Sequence, residues 1–360
     1  MRLTFALLLM LLPAAAARAQ TPVHVVATFS ILGDMVKAVG GDRVEVTTLV
    51  GPGGDVHVYH ATPADAQAIA TADLVVANGL GLEGWIDRLM DASGSKATFV
   101  TVATHAVEDD DDHAAEARHD EHAAEAGHED DHDEHAAEAG HDDHDEHAAE
   151  AGHDEHAAEV GHDEHDEHAA EAGHDGHDEH AHAIDPHAWQ DLGNGVAYSA
   201  EIAEALSAID PAGADAYAAR QAAYANELRE LEHDFTDRLA DIPQDRRTVV
   251  TAHDAFGYFE RAYGIEFVAP VGVSTEADVS ARDLAEVIQY IRAHGVDAIF
   301  AEGMSNPRLV EQVAAETGVK IGGTLYADTL SDANGPAATY LAMMQHNMDA
   351  LLNVLAPKSH

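Results

Sequence analysis

Short β-branched runs and helical runs alternate from Val23 to Val102, the alternation stops at His105, and it resumes only at Ile184. Strands that alternate with helices build parallel βα units with helices on both faces of a sheet. In the first half the strands are expected at Val23 to Ser30, Val44 to Val50, Leu74 to Asn78 and Ala97 to Val102. Helices are expected between them at Ile31 to Val39, Thr62 to Ala70 and Leu82 to Met90. Thr62 can cap the second of these, Pro63 suits a first helical turn, and Asp65 places an acid where the helix dipole favours one. The second half repeats the pattern. Helix Ala188 to Ile209, weakened at its start by Gly193 and Gly195, leads to a long helical run from Ala214 to Ala240, which Ile242-Pro243 ends. Strands at Thr248 to Ala252, Glu266 to Ala269, Ala298 to Ala301 and Lys320 to Leu325 then alternate with helices at Ala255 to Tyr263, Ala281 to His294 and Pro307 to Thr317. A helix from Ala337 to Leu355 closes the chain. The expected fold class is α/β: two lobes of parallel βα units joined by a single long helix.

The interruption has its own chemistry. The unit His-Asp-Glu-His-Ala-Ala-Glu-Ala-Gly recurs at His119, His132, His144 and His165, with a near copy at His153. Between His105 and Ala183 there are 31 Asp or Glu against the single Arg118, and 19 of the 28 histidines fall between His105 and His182. With almost no large apolar residue, the segment cannot offset its ordering entropy by burial, so it is expected to be disordered without metal. Its imidazoles and carboxylates suit borderline divalent metals such as zinc better than magnesium or calcium. The candidate accessory ligands there are His105, His113, His119, His122, His132, His135, His144, His147, His153, His156, His165, His168, His174, His177, His180 and His182.

This segment also explains the net charge of -49, which is concentrated rather than spread evenly. Neither it nor the flanking lobes offer the basic face that phosphate neutralisation requires, so nucleic acid is not an expected partner. Residues 1–19 have the anatomy of a secretory signal: Arg2, an apolar core from Leu3 to Leu12, and the small-residue site Ala17-Arg18-Ala19. The mature chain is expected to start near Gln20 as a periplasmic monomer, with no direct membrane insertion after cleavage. The sequence has no cysteine, so any metal must be held by nitrogen and oxygen. The expected organisation is a signal at 1–19, a first lobe at 20–212 carrying the insert 105–183, a linking helix at 213–241 and a second lobe at 242–360.

In parallel α/β sheets, ligands bind at the carboxyl ends of strands, where loops converge. Four metal-capable side chains are expected there. His57 lies in the loop after Val50, and His187 lies in Asp185-Pro186-His187-Ala188-Trp189, where order resumes. His253 follows the strand Thr248 to Ala252, and Asp328 follows the strand ending at Leu325. Each alone has a bland alternative: a surface histidine, a helix entry, a core histidine bonded to a carbonyl, and a turn cap. Together, three imidazoles and one carboxylate form a zinc-competent set, two from each lobe.

The chain resembles the metal-binding periplasmic proteins of zinc and manganese ABC importers, the cluster 9 or cluster A-I solute-binding family. Four segments carry the resemblance: Pro52 to Asp65, Ala77 to Trp85, Asp185 to Trp189 and Thr251 to Phe259. It implies that His57, His187 and His253 are metal ligands, that Asp328 is the fourth, and that the linking helix is rigid. It also implies an acidic His-rich insert before the second ligand, as in zinc-specific members. Val56 stands where the family often has proline, and His60 replaces a commonly acidic residue, leaving a spare imidazole three positions from His57: a candidate accessory ligand that could compete for metal or pass it inward, with a solvent-facing role favoured. A histidine at 253, where manganese-selective relatives tend to carry a carboxylate, favours zinc.

These features point to a non-enzymatic protein that captures extracytoplasmic Zn2+ and hands it to the permease of an ABC importer, with the insert as a low-affinity collector or sensor. Manganese is the alternative cargo. A periplasmic zinc store is a second class of function. A secreted zinc hydrolase is the third; none of the expected helices carries His-Glu-x-x-His, and it would need Glu302 or Glu276 as its base.

Overall fold

The computed structural model describes residues 21–104, 184–275, 279–296, 298–303 and 308–356. The predicted signal, the repeat segment and its histidines, and Glu276 lie outside them. All described residues belong to one compact unit built on two four-stranded sheets.

The first sheet contains β1 (Val23–Phe29), β2 (Val44–Val50), β3 (Leu74–Ala77) and β4 (Thr98–Thr101) in the order β2-β1-β3-β4, every pair parallel. Its central strands are apolar on both faces, as a sheet covered by helices on each side requires: Leu74 to Ala77 are fully buried, as are nearly all of β1's residues. The helices are α1 (Ser30–Gly40), α2 (Pro63–Ala70) and α3 (Ile86–Ser93). α2 starts with the expected Thr62 cap, reciprocated by Asp65 in a capping box. The second sheet repeats the plan with β5 (Thr248–Val250), β6 (Glu266–Val268), β7 (Ala298–Glu302) and β8 (Lys320–Leu325), parallel in the order β6-β5-β7-β8.

Between the sheets run α4 (Leu192–Ile209) and α5 (Ala214–Leu239), the latter 26 residues and so about 39 Å long. Their junction is fastened to the first lobe. Asp210 accepts hydrogen bonds from Arg43 Nε at 2.9 Å and from the Tyr217 hydroxyl at 2.9 Å. On the second-lobe side follow α6 (Gly257–Tyr263), α7 (Ala281–His294), α8 (Arg308–Thr317) and α9 (Tyr340–Leu355). A continuous core joins residues of both lobes to these helices, and a smaller cluster around Val250, Val287, Ile299 and Val313 lies under α7 and α8. No described helix is long and apolar enough to cross a membrane.

Two elements differ from expectation in ways that shape the site. The helix expected over Leu82 to Met90 begins only at Ile86. Gly79, Leu80 and Gly81 all have positive φ and turn the chain so that Glu83 faces inward. The buried Glu83 carboxylate there accepts from Thr28 Oγ1 at 2.7 Å and from the backbone N–H of Asn78 and Gly79 at 2.8 and 3.1 Å. A carboxylate holding the turn from inside replaces the helix's first turn. The helix expected from Ala188 is broken as well: Ala188–Gln190 form a 3-10 turn, and Asp191 caps a fresh start at Leu192 by accepting from Gly193 N at 2.8 Å. Smaller differences trim strand and helix ends, as where α9 begins at Tyr340 rather than Ala337, behind a Thr339 cap.

Candidate metal centre

The loops that leave the carboxyl ends of these strands carry the four predicted residues, and the fold brings all four together. His57 follows β2, His187 enters the 3-10 turn, His253 follows β5 and Asp328 follows β8. All are buried, and each offers one ligand atom within 4.8 Å of the others. His57 Nε2 lies 3.2 Å from His187 Nε2, and Asp328 lies 3.5, 3.3 and 3.0 Å from the Nε2 atoms of His57, His187 and His253. Four donors about 2.0–2.1 Å from a common tetrahedral centre would be about 3.3–3.4 Å apart. The contacts just given, counted over both Asp328 oxygens, run from 3.0 to 3.5 Å and no pair of ligand atoms exceeds 4.8 Å, so one cation could reach all four. His253 Nε2 and both Asp328 oxygens are fully buried and make no hydrogen bond, although buried polar atoms ordinarily find a partner. A cation among them would satisfy all three.

The remaining polar atoms hold these side chains in place. Asp185 Oδ1 accepts from the His187 backbone N–H at 2.9 Å and lies 2.8 Å from His187 Nδ1. Glu302, the last residue of β7, accepts from the N–H of Ala252 and His253 with Oε1 at 2.8 and 3.0 Å, while its Oε2 lies 2.5 Å from His253 Nδ1. Carboxylates at Nδ1 fix the tautomer and turn Nε2 toward the centre, the usual arrangement around metal-binding histidines. Glu302 is therefore a positioning residue, with both oxygens engaged, rather than the free base that a hydrolase would need.

Contacts between lobes lock the two halves in register. Trp189 Nε1 and Gln190 Nε2 both donate to the carbonyl of Ala327, the residue before Asp328, at 2.8 Å. The Leu330 N–H donates to Ser30 Oγ at 3.0 Å, and Gly53 N to Thr329 Oγ1 at 2.8 Å. Asn78 Nδ2 donates to the Pro186 carbonyl at 2.9 Å, linking the Glu83 turn to the His187 segment. Gly257 permits a further close approach, since a Cβ there would meet Asp185 Oδ2 at 2.6 Å. Gly257→Ala is expected to displace Asp185 and misalign His187, lowering metal affinity roughly 10–100-fold, the range found when groups that orient a ligand are disturbed. A metal titration of the purified variant checks this.

Charge reinforces the geometry. Burial pushes the Asp328 carboxyl up, but His253 and His187 beside it outweigh burial and hold it well below the usual carboxylate range. Burial pushes His253 down, but the Glu302 and Asp328 carboxylates outweigh it and raise the imidazole well above its ordinary value. A metal that binds His253 must therefore displace its proton wherever the raised imidazole is still charged. Affinity is complete only above the raised His253 value and falls about tenfold per pH unit below it. Zinc titrations over a pH series are expected to show affinity that rises with pH and levels off once His253 is neutral.

His60 is exposed and is not brought into the cluster. It lines a groove of about 820 Å³ beside His57, with Trp85, Arg88 and Ile184. Glu302, Asp185 and Asp55 were missed as positioning groups. The sequence does carry one signal for the last two, because Asp-x-His occurs at both Asp55-Val56-His57 and Asp185-Pro186-His187.

Two parallel α/β lobes that close on a buried site of histidines and a carboxylate define a metal-binding solute-binding protein. The chain belongs to the family described as zinc-uptake complex component A, periplasmic (ZnuA), whose profile matches residues 25–354. This family supplies the substrate-binding component of ABC metal importers and works with a membrane permease; it is not a catalytic family. Its relatives include the zinc-binding protein TroA of Treponema pallidum, 28% identical over 92% of this chain and 88% of that one. The manganese-binding lipoprotein MntA of Halalkalibacterium halodurans is 27% identical over 92% and 88%. The iron-binding protein YfeA of Yersinia pestis is 25% identical over 91% and 84%. Among solved structures, the periplasmic zinc-binding protein TroA superposes with a TM-score of 0.69 at 26% identity, covering 93% of this chain and all of that one. A Mn-bound periplasmic metal-binding protein from Candidatus Liberibacter asiaticus gives 0.66 at 25% identity, covering 92% and 99%. The relatives thus divide among zinc, manganese and iron.

Proposed function

We propose that this protein captures Zn2+ outside the inner membrane through His57, His187, His253 and Asp328 and delivers it as a monomer to the permease of an ABC importer. The observation that carries the choice of zinc is the donor set: three imidazole nitrogens and one carboxylate whose ligand atoms lie within 4.8 Å of one another. Zinc accepts this set as a closed four-coordinate site, whereas manganese prefers more oxygen donors and a larger shell. Four protein donors also leave no open position for catalysis. Residues 1–19 serve as the export signal in this proposal, and the histidines from His105 to His182 form several weak accessory sites. A segment so poor in large apolar residues is expected to lose ordering entropy in wrapping a cation, a cost the preformed cleft does not carry.

Competition titration of the mature protein with zinc and manganese, with elemental analysis, tests the proposal. One zinc is expected to bind far more tightly than the rest, and tightly enough to exclude manganese at equal concentration. Deletion of 107–182 is expected to remove the weak sites and keep the tight one. Preference for manganese would overturn the choice of cargo, and loss of the tight site with the segment would overturn the choice of site.

A further inference from the structure

Asp55 and Asp185 stand in the same relation to their histidines. Each lies two residues before a histidine of the cluster and accepts that histidine's backbone N–H with Oδ1 at 2.9 Å. Their second oxygens both turn to the other lobe. Asp185 Oδ2 lies against Gly257 at the start of α6, and Asp55 Oδ2 accepts a hydrogen bond of 2.7 Å from Thr275 Oγ1. One carboxylate thus fixes the loop that carries His57 and also grips the opposite lobe. Both Asp55 and Thr275 are only partly buried, so the bond lies nearer solvent than the cluster. The other inter-lobe bonds described above, donated by Trp189, Gln190 and Gly53 or accepted by Ser30, fasten the segment 327–330.

We propose that Asp55 and Thr275 form an inter-lobe latch that sets the rate at which bound metal leaves. Separation of the lobes at this edge must break the Thr275 to Asp55 hydrogen bond before the His57 loop can swing away from the second lobe. Breaking it removes the support that aligns His57, so opening and loss of a ligand are coupled. A contact made only when the lobes are together slows dissociation and has little effect on encounter, as is general for contacts that form after association. Asp55 and Thr275 are positioning residues, since neither donates to the metal. The inference rests on the metal site proposed above.

The test is stopped-flow kinetics on the full mature chain loaded with zinc, with dissociation followed into excess chelator and association followed directly. Thr275→Val keeps the shape and removes the donor. It is expected to speed dissociation roughly 10-fold, the effect of losing one partly exposed hydrogen bond to a charged acceptor, with the association rate unchanged. Thr275→Ser retains the hydroxyl and is expected to restore dissociation to within about twofold of the native rate. Unchanged dissociation in Thr275→Val overturns the latch. A change that serine does not rescue, or one accompanied by a lower melting temperature of the metal-free protein, shows a packing role and overturns it too. His57→Ala in the same series separates the two levels of the argument. If it abolishes tight binding while Thr275→Val changes nothing, the latch fails and the site stands; if it binds zinc as tightly as the native chain, the site itself fails.

Discussion

Asp328→Asn is expected to lower zinc affinity about 10²–10³-fold while the metal-free protein keeps its fold. Asp328 is the single anionic donor of the set, and its oxygens make no hydrogen bond that an amide would forfeit. Apparent zinc binding energies of about 10–16 kcal/mol shared among four donors give about 2.5–4 kcal/mol for one, and a tenfold change corresponds to about 1.4 kcal/mol. The weak carbonyl donor of asparagine places the loss toward the lower part of that range. Competition with a chromophoric chelator measures the affinity, and the melting temperature without metal reports the fold. The two readouts are expected to separate, because neither Asp328 oxygen makes a hydrogen bond that holds the fold.

Glu302→Gln is expected to affect both. Glu302 Oε1 accepts two backbone N–H groups and Oε2 faces His253 Nδ1, so both oxygens act as acceptors at once. A glutamine amide has only one acceptor side. If its oxygen faces the backbone, its NH2 drives the imidazole into the tautomer that protonates Nε2; if it faces the imidazole, the two N–H groups meet another donor. The expected loss in zinc affinity is about 10–100-fold. Stability is expected to fall by about 2–4 kcal/mol, the cost of one or two buried groups left without partners. Zinc titration and denaturant unfolding of the same preparation measure the pair.

These predictions mark where sequence suffices and where it stops. The alternation of β-branched and helical runs places every strand to within a few residues, because central parallel strands such as Leu74 to Ala77 are apolar on both faces and stand out locally. The four candidate ligands are legible for a related reason. A parallel sheet puts the ends of its strands on one rim, so His57, His253 and Asp328 can be located from the strands alone. The helix expected over Leu82 to Met90 starts late because Glu83, within that range, is buried and accepts from Thr28, Asn78 and Gly79. Glu302 could not be assigned, since its role depends on β7 lying beside β5, a neighbour 49 residues away with no local pattern to announce it. The Asp-x-His pairs were visible, but the part played by their second oxygens depends on the approach of the other lobe.

Zinc K-edge X-ray absorption on the protein lacking 107–182 and loaded with one equivalent of zinc tests the central claim most directly. The account predicts a four-coordinate ion with three imidazole nitrogens and one carboxylate oxygen at about 2.0–2.1 Å, and the loss of this signal in Asp328→Asn. A five- or six-coordinate shell, fewer than three imidazoles, or a spectrum unchanged by Asp328→Asn would contradict it.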